Sequence, residues 1–162
     1  VTLSYSHDIE TALAQIEQAI AVIVAWAARN DVHEATMRRA RTTLSRRQLW
    51  LLSQLGGCAP ARMSDLADVL GVDNSTLTPQ AKRLEGDGLV AREADPGDRR
   101  AVRLRLTRAG RALLSRVSLT RRSMYGELFA GWSAEQTRDA AEHLTRVARA
   151  LQPADLRLSH PV

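Results

Sequence analysis

At Gly88 the hydrophobic period of this sequence changes, and few folds accommodate the change. Upstream, apolar residues recur every three or four positions, as along one face of a helix. Downstream, Val102, Leu104 and Leu106 alternate with Arg103 and Arg105, the pattern of a strand with one apolar and one basic face. Three short helices are predicted before the change. Ser45 and Gln48 have the spacing of a capping box and open a helix through Leu55 that Gly56-Gly57 ends. After a loop from Cys58 to Arg62, Ser64 is expected to cap a second helix that turns Leu66, Ala67 and Leu70 inward and closes at Gly71. Asp73 is expected to cap a third, running to about Asp87 and closed by Gly88. Leu89 to Glu93 is the expected partner of the 102–106 strand, and Asp95-Pro96-Gly97-Asp98 makes the turn between them. A helix, then two short helices joined by a glycine turn, then a hairpin, is the order of a winged helix-turn-helix.

Longer helices are predicted on either side. Ile9, Leu13, Ile16, Ile20 and Ile23 form one stripe of a helix reaching about Asn30. Asn30 to Thr43 is a polar connector with room for a short helix through Met37. Thr107 is placed to cap a long helix with an apolar stripe of Leu113, Leu114, Val117, Met124, Leu128 and Phe129. Ser133 and Gln136 repeat the capping box before a last helix through Leu144, Val147 and Leu151. The expected fold is mainly α with a small β-hairpin wing, a winged helix-turn-helix with long N- and C-terminal dimerisation helices. Its expected divisions are 1–43, an N-terminal dimerisation helix and connector; 44–106, the DNA-binding lobe; and 107–162, the C-terminal helices completing the dimerisation region. A homodimer is expected because the first and last helices carry apolar stripes that 162 residues have little core to cover.

Composition narrows the function. Hydrophobic residues make up 44% and aromatics only 4%, so alanine and aliphatic side chains supply the core, which favours helices. Cys58 is the only cysteine and the four histidines are scattered, so no disulfide, metal or cofactor is expected. No apolar run reads as long enough to span a bilayer, and no basic-then-apolar leader is seen, so a cytoplasmic location with no membrane partner is expected. Catalysis is not expected: Asp95 and Asp98 sit in a turn beside arginines with no histidine near, poor equipment for acid–base work. The net charge is +5, but between Arg92 and Arg122 ten arginines face three acids. Beside a reading helix, such an excess is an electrostatic footprint for phosphates.

With Leu77 taken as inward, Ala81 and Leu84 share its face at i+4 and i+7. The opposite face carries Ser75, Pro79 and Lys82, flanked by Thr76, Thr78, Gln80 and Arg83. Short hydrogen-bonding groups near the helix start and cations further on suit major-groove reading. Pro79 removes a backbone donor and should bend the helix locally, while its ring can meet a thymine methyl. A winged helix used for protein–protein contact, the alternative reading, would carry an apolar exposed face there. In the wing, Asp98 and Arg100 lie two apart and can share one side of an extended chain, so Asp98 is expected to hold Arg100 toward a minor groove. Arg99, Arg103 and Arg105 are better placed for phosphates.

Together these residues resemble the MarR family of bacterial transcriptional regulators. RMSDLADVLGVDNSTLTPQAKRLEGDGLVARE is similar to that family's helix-turn-helix, including its L-E-x-x-G-L-V-x-R ending at Leu84 to Arg92, and DRRAVRLRLTRAG is similar to its D-x-R wing. The resemblance is specific over roughly residues 44–112. It implies a homodimer with interlocked terminal helices that binds double-stranded DNA at a palindromic operator, usually to repress, and is released by a small-molecule effector or an oxidant. It places the effector pocket between the dimerisation helices and the DNA-binding lobe. Trp26, Met37, Trp50 and Met124 are large enough to line one, although core packing is the ordinary role of each. Thr76-Leu77-Thr78-Pro79 is also similar to the organic-peroxide-sensing branch, but that branch uses a cysteine in the first helix, and residues 1–30 contain none.

Overall fold

The computed structural model describes residues 2–57, 60–98 and 101–151, which fall into two compact units divided between Thr42 and Thr43. In the first unit α1 (Thr2–Ala28) is followed by α2 (Asn30–Arg39). Arg29 is extended between them and grips Asp31 through Nε and Nη2 at 3.0 and 2.7 Å. The connector is therefore more helical than its polarity suggested. It ends in a Schellman pair: the Thr42 N–H donates to the Met37 carbonyl and the Arg41 N–H to that of Arg38. Arg41 occupies the left-handed position with φ 51°, where an L side chain is strained.

The stripe on α1 is uncovered in this chain, Ile9, Leu13, Ile16, Ile20 and Ile23 being 37–58% exposed. Asp8–Ala28 is also long and apolar enough to cross a membrane by length and composition, with a mean hydropathy of 1.5. That corrects the expectation that no run reaches such a length; Ala21, Val22, Val24 and Ala25 surround Ile23 at the end of the stripe and raise the average.

The second unit opens with α3 (Arg46–Gly57), which takes in the two glycines expected to end it. Its capping box closes as predicted: the Gln48 N–H donates to Ser45 Oγ at 3.2 Å, and the Ser45 N–H to Gln48 Oε1 at 2.8 Å. The segment read as a loop contains a short strand, β1 (Ala61–Arg62), followed at once by α4 (Met63–Leu70). Ser64 does not cap α4. Arg62 holds the cap position, with no side-chain cap bond, and the Ser64 hydroxyl donates to Asp65. Sheet pairing of Arg62 accompanies a helix start two residues ahead of the expected place. Asp73 does precede α5 (Asn74–Gly86), but its side chain makes no cap bond, and only its carbonyl accepts, from Thr76. Gly71 and Gly88, at φ 62° and 68°, close α4 and α5 with the same hydrogen-bond pair that ends α2.

β2 (Val90–Ala94) and β3 (Val102–Leu106) form the hairpin, and β1 joins the far side of β3, giving the antiparallel order β1-β3-β2. β2 is one residue later than expected because the α5 closure takes up Leu89, whose N–H donates to the Leu84 carbonyl. Leu104 and Leu106 are buried, whereas Val102, beyond the edge of the core, is exposed. They meet Leu51, Leu52, Leu77, Ala81, Leu84 and Val90 in one aliphatic core. Thr107 caps α6 (Arg108–Leu128), accepting from the Gly110 N–H at 3.0 Å while its hydroxyl donates to the Gly88 carbonyl at 2.7 Å. Of the predicted α6 stripe, Leu113 and Val117 are buried and Leu128 is exposed. Phe129 and Trp132 meet edge to face with centroids 5.1 Å apart, and the Ser133–Gln136 box starts α7 (Ala134–Leu151), which buries none of its side chains.

Candidate nucleic-acid interface

Two short helices and a hairpin share the aliphatic core, so each presents a fixed outer face. On α5, Leu77, Ala81 and Leu84 are wholly buried, and the 3.6-residue period then turns Ser75, Thr78, Pro79, Lys82 and Arg83 to solvent, with Thr76 and Gln80 at the margins. The α5 helix continues through Pro79. The Thr78 hydroxyl donates back to the Asn74 carbonyl at 2.7 Å, so its oxygen is left to accept from a ligand rather than to donate. Among the described residues neither Lys82 nor Arg83 enters an ion pair, and both cations stand ready for an anion.

The arginine-rich hairpin is less uniformly basic than its sequence. Arg92 Nε bonds Glu85 at 2.9 Å, tying β2 to the end of α5. Arg105 Nε lies 3.2 Å from Glu93, a diagonal cross-strand pair. Such part-exposed pairs contribute little stability, but each lowers the charge offered to a phosphate. Arg103, read as a phosphate contact, directs its Nε to Asp95 at 2.6 Å, and its side chain remains 31% exposed. Arg99 and Arg100 lie outside the described residues, as does Cys58, and their parts in the reading rest on sequence alone. Asp98, assigned to hold Arg100, donates its N–H to Asp95 and accepts through its carbonyl from Ala101.

Asp95 is the residue that the pattern of charges missed. Its carboxylate is fully buried. One oxygen accepts from Arg62 Nε and Arg103 Nε, both at 2.6 Å; the other accepts from the N–H groups of Gly97 and Asp98, at 2.7 and 3.1 Å. The Arg62 bond above all, with Arg103 and the Gly97 N–H against the opposing effect of burial, holds this carboxyl well below the usual range. Arg62, from β1, was not among the expected site residues. Register explains it, because Arg62 sits directly opposite Arg103 across β1–β3. The sole advance signal was an acid at the first position of a Pro-Gly turn, which commonly folds back onto backbone N–H groups.

An open groove of about 350 Å³ runs between α3 and α6, walled by Leu49, Ser53, Gly56, Leu114, Val117 and Arg121. Neither Trp50 nor Met124, named from sequence as large enough to line a pocket, is among its walls. Among the described residues no cluster of three His, Cys, Asp or Glu side chains is placed to hold a metal.

Comparison with known proteins fits this geometry. The pattern of the MarR family matches residues 44–102, from the approach to α3 to the first residue of β3. The chain is 35% identical over 107 residues to the uncharacterised HTH-type transcriptional regulator YxaD of Bacillus subtilis, covering 66% of this chain and 75% of that one. A MarR family protein from Bacillus stearothermophilus superposes with a TM-score of 0.75 at 21% identity, over 88% of this chain and 96% of that one. Streptococcus pneumoniae FabT, solved in complex with DNA, superposes with a TM-score of 0.66 at 23% identity, over 86% and 96%. With its hairpin, its buried α5 face and three quarters of a relative's length in common, this chain belongs to the MarR family of transcriptional regulators.

Proposed function

We propose that this protein is a homodimeric, sequence-specific repressor that reads a palindromic operator with α5 in the major groove and its wing in the flanking minor groove. The observation that carries the reading is the division of α5: three side chains are locked in the core, and the opposite face is polar and cationic. Ser75, Thr76, Thr78, Pro79 and Gln80 are placed for base edges, and Lys82 and Arg83 for bases or phosphates further along the helix. Arg99, Arg100 and Arg103 serve the wing, with Arg100 in the minor groove and Asp98 in support. A protein-docking winged helix would need an apolar α5 face, and Ser75, Thr78, Lys82 and Arg83 are exposed there.

Dimerisation is supported by the uncovered stripe of α1 and by α7, whose Leu144 and Leu151 are exposed. A second copy suits α1 better than a bilayer does, since Glu17 in mid-helix would cost about 2.5–3.5 kcal/mol or more at a membrane centre. A cytoplasmic site of action follows from this function. A small-molecule effector that loosens the dimer on DNA completes the proposal, and the α3–α6 groove is its candidate seat.

Selection of bound duplexes from a random pool tests the reading. Recovery of a palindrome with half-sites about one helical turn apart is expected. The Arg83→Ala and Arg100→Ala variants should each bind the recovered duplex more weakly, the second most where the flank is AT-rich. Retention of full affinity by both would refute the assignment of faces. Sedimentation of a stable monomer at micromolar concentration would refute the dimer.

A further inference from the structure

Asp95 and Arg62, which have no part in the α5 and wing-tip reading, form one cluster with Arg103. Both guanidiniums bond the same carboxylate oxygen through Nε at 2.6 Å. Their side chains remain 39% and 31% exposed while the carboxylate is completely covered. An arginine held by Nε still has the N–H groups of both terminal nitrogens to offer, and the guanidinium plane is already oriented. The β1–β3 register sets the two side by side. Arg62 is also the residue immediately before α4, the first helix of the helix-turn-helix, and in this architecture that helix crosses the phosphate backbone. Two arginines against one buried acid leave one positive charge in the clasp. Asp65 and Asp98 lie close enough to act on Arg62, so the cluster offers short, directed contact rather than long-range attraction.

We infer that Arg62 and Arg103, oriented by Asp95, form a phosphate-binding clamp at the root of the wing that grips the DNA backbone, with Arg62 a binding residue and Asp95 a positioning residue. The inference rests on the DNA-binding reading above but adds a contact outside α5 and the wing tip. A planar fork presented in advance loses little side-chain freedom on meeting a phosphate, which is why burial of the acid matters.

The test measures binding of the full-length protein to the selected operator and to a mixed-sequence duplex, by fluorescence anisotropy over a range of salt concentrations. Lys82→Ala and Arg83→Ala are run in parallel. Arg62→Ala should weaken both duplexes by similar factors, about tenfold, and lower the log–log salt slope by about one. Arg62→Lys should keep the slope while losing part of the affinity. Asp95→Asn is decisive because it removes a negative charge. Simple Coulomb attraction predicts tighter binding, whereas loss of positioning predicts weaker binding with a reduced slope. Far-UV circular dichroism and thermal melts identify any variant that fails to fold, and Arg62→Lys then carries the comparison. Unchanged salt slopes in Arg62→Ala and Asp95→Asn, or tighter binding by Asp95→Asn, would overturn the clamp. If the α5 variants also bind normally, the DNA-binding reading falls with it; if they weaken, the clamp alone is wrong.

Discussion

Gly110 stands three residues into α6, and replacing it with alanine sets two opposing effects against each other. Alanine is the better helix former by about 1 kcal/mol, so propensity alone predicts stabilisation. The structure predicts the reverse. A Cβ at this position would overlap the Leu89 carbonyl oxygen and come within 3.1 Å of Leu106 Cγ. The oxygen is backbone at the start of the hairpin and has no rotamer to change. Relief requires α6 to back away by about 1 Å, and the Thr107 bonds to Gly88 and Leu89, at 2.7 and 3.1 Å, stretch with it. Overpacking of this kind costs about 1–3 kcal/mol and each weakened bond about 1 kcal/mol, against the gain of about 1 kcal/mol in propensity. The net expectation for Gly110→Ala is a loss of about 3 kcal/mol, which for a chain of this length lowers Tm by roughly 6–12 °C. Gly86→Ala is the matched control, because nothing lies within 4 Å of a Cβ there, and it should gain about 0.5 kcal/mol. Thermal and urea unfolding followed by far-UV circular dichroism at one fixed protein concentration measures both. A Gly110→Ala melt equal to or above that of the parent would refute the close approach of α6 to the hairpin.

Other substitutions test separate features. Arg41→Gly removes the left-handed strain at the end of α2 and should raise stability by about 0.5–1 kcal/mol in the same melts; a lower Tm would contradict the Schellman closure. Ser133→Ala breaks the box at the start of α7 and should cost about 1 kcal/mol, with helix content falling in the circular dichroism spectrum. The clasp also has a pH signature. Because the folded pKa of Asp95 is depressed below the ordinary 3.8, its contribution is complete above that value and is lost as pH falls toward the folded value, where the unfolded chain binds more protons. Asp95→Asn should therefore show a shallower decline of stability between about pH 4.5 and 2 in acid titrations. Parallel acid limbs for parent and variant would rule the clasp out.

Much of this architecture was legible because it is written at short range. The Ser45–Gln48 and Ser133–Gln136 boxes, the left-handed glycines 71 and 88, and the inward face of α5 depend on residues a few positions apart, where helix geometry alone decides what meets what. The alternation Val102–Leu106 announced the hairpin for the same reason, and the outward face of α5 followed from its inward one. Features that the sequence did not show join distant segments. The Asp95–Arg62 bond spans 33 residues, and it turned an acid read as part of a turn into the buried centre of the wing root. Pairing of β1 with β3 displaced the expected Ser64 cap and brought Arg62 opposite Arg103, which no local pattern encodes. Ion pairs across the hairpin and to α5 engaged Arg92 and Arg105, so a count of arginines overstated the charge available. Periodicity and capping thus settled the elements and their faces, since both act within one or two turns of chain. Which charges stay open and which acid is buried was left to tertiary register, because a carboxylate is held inside a protein only where several donors from separate strands converge on it.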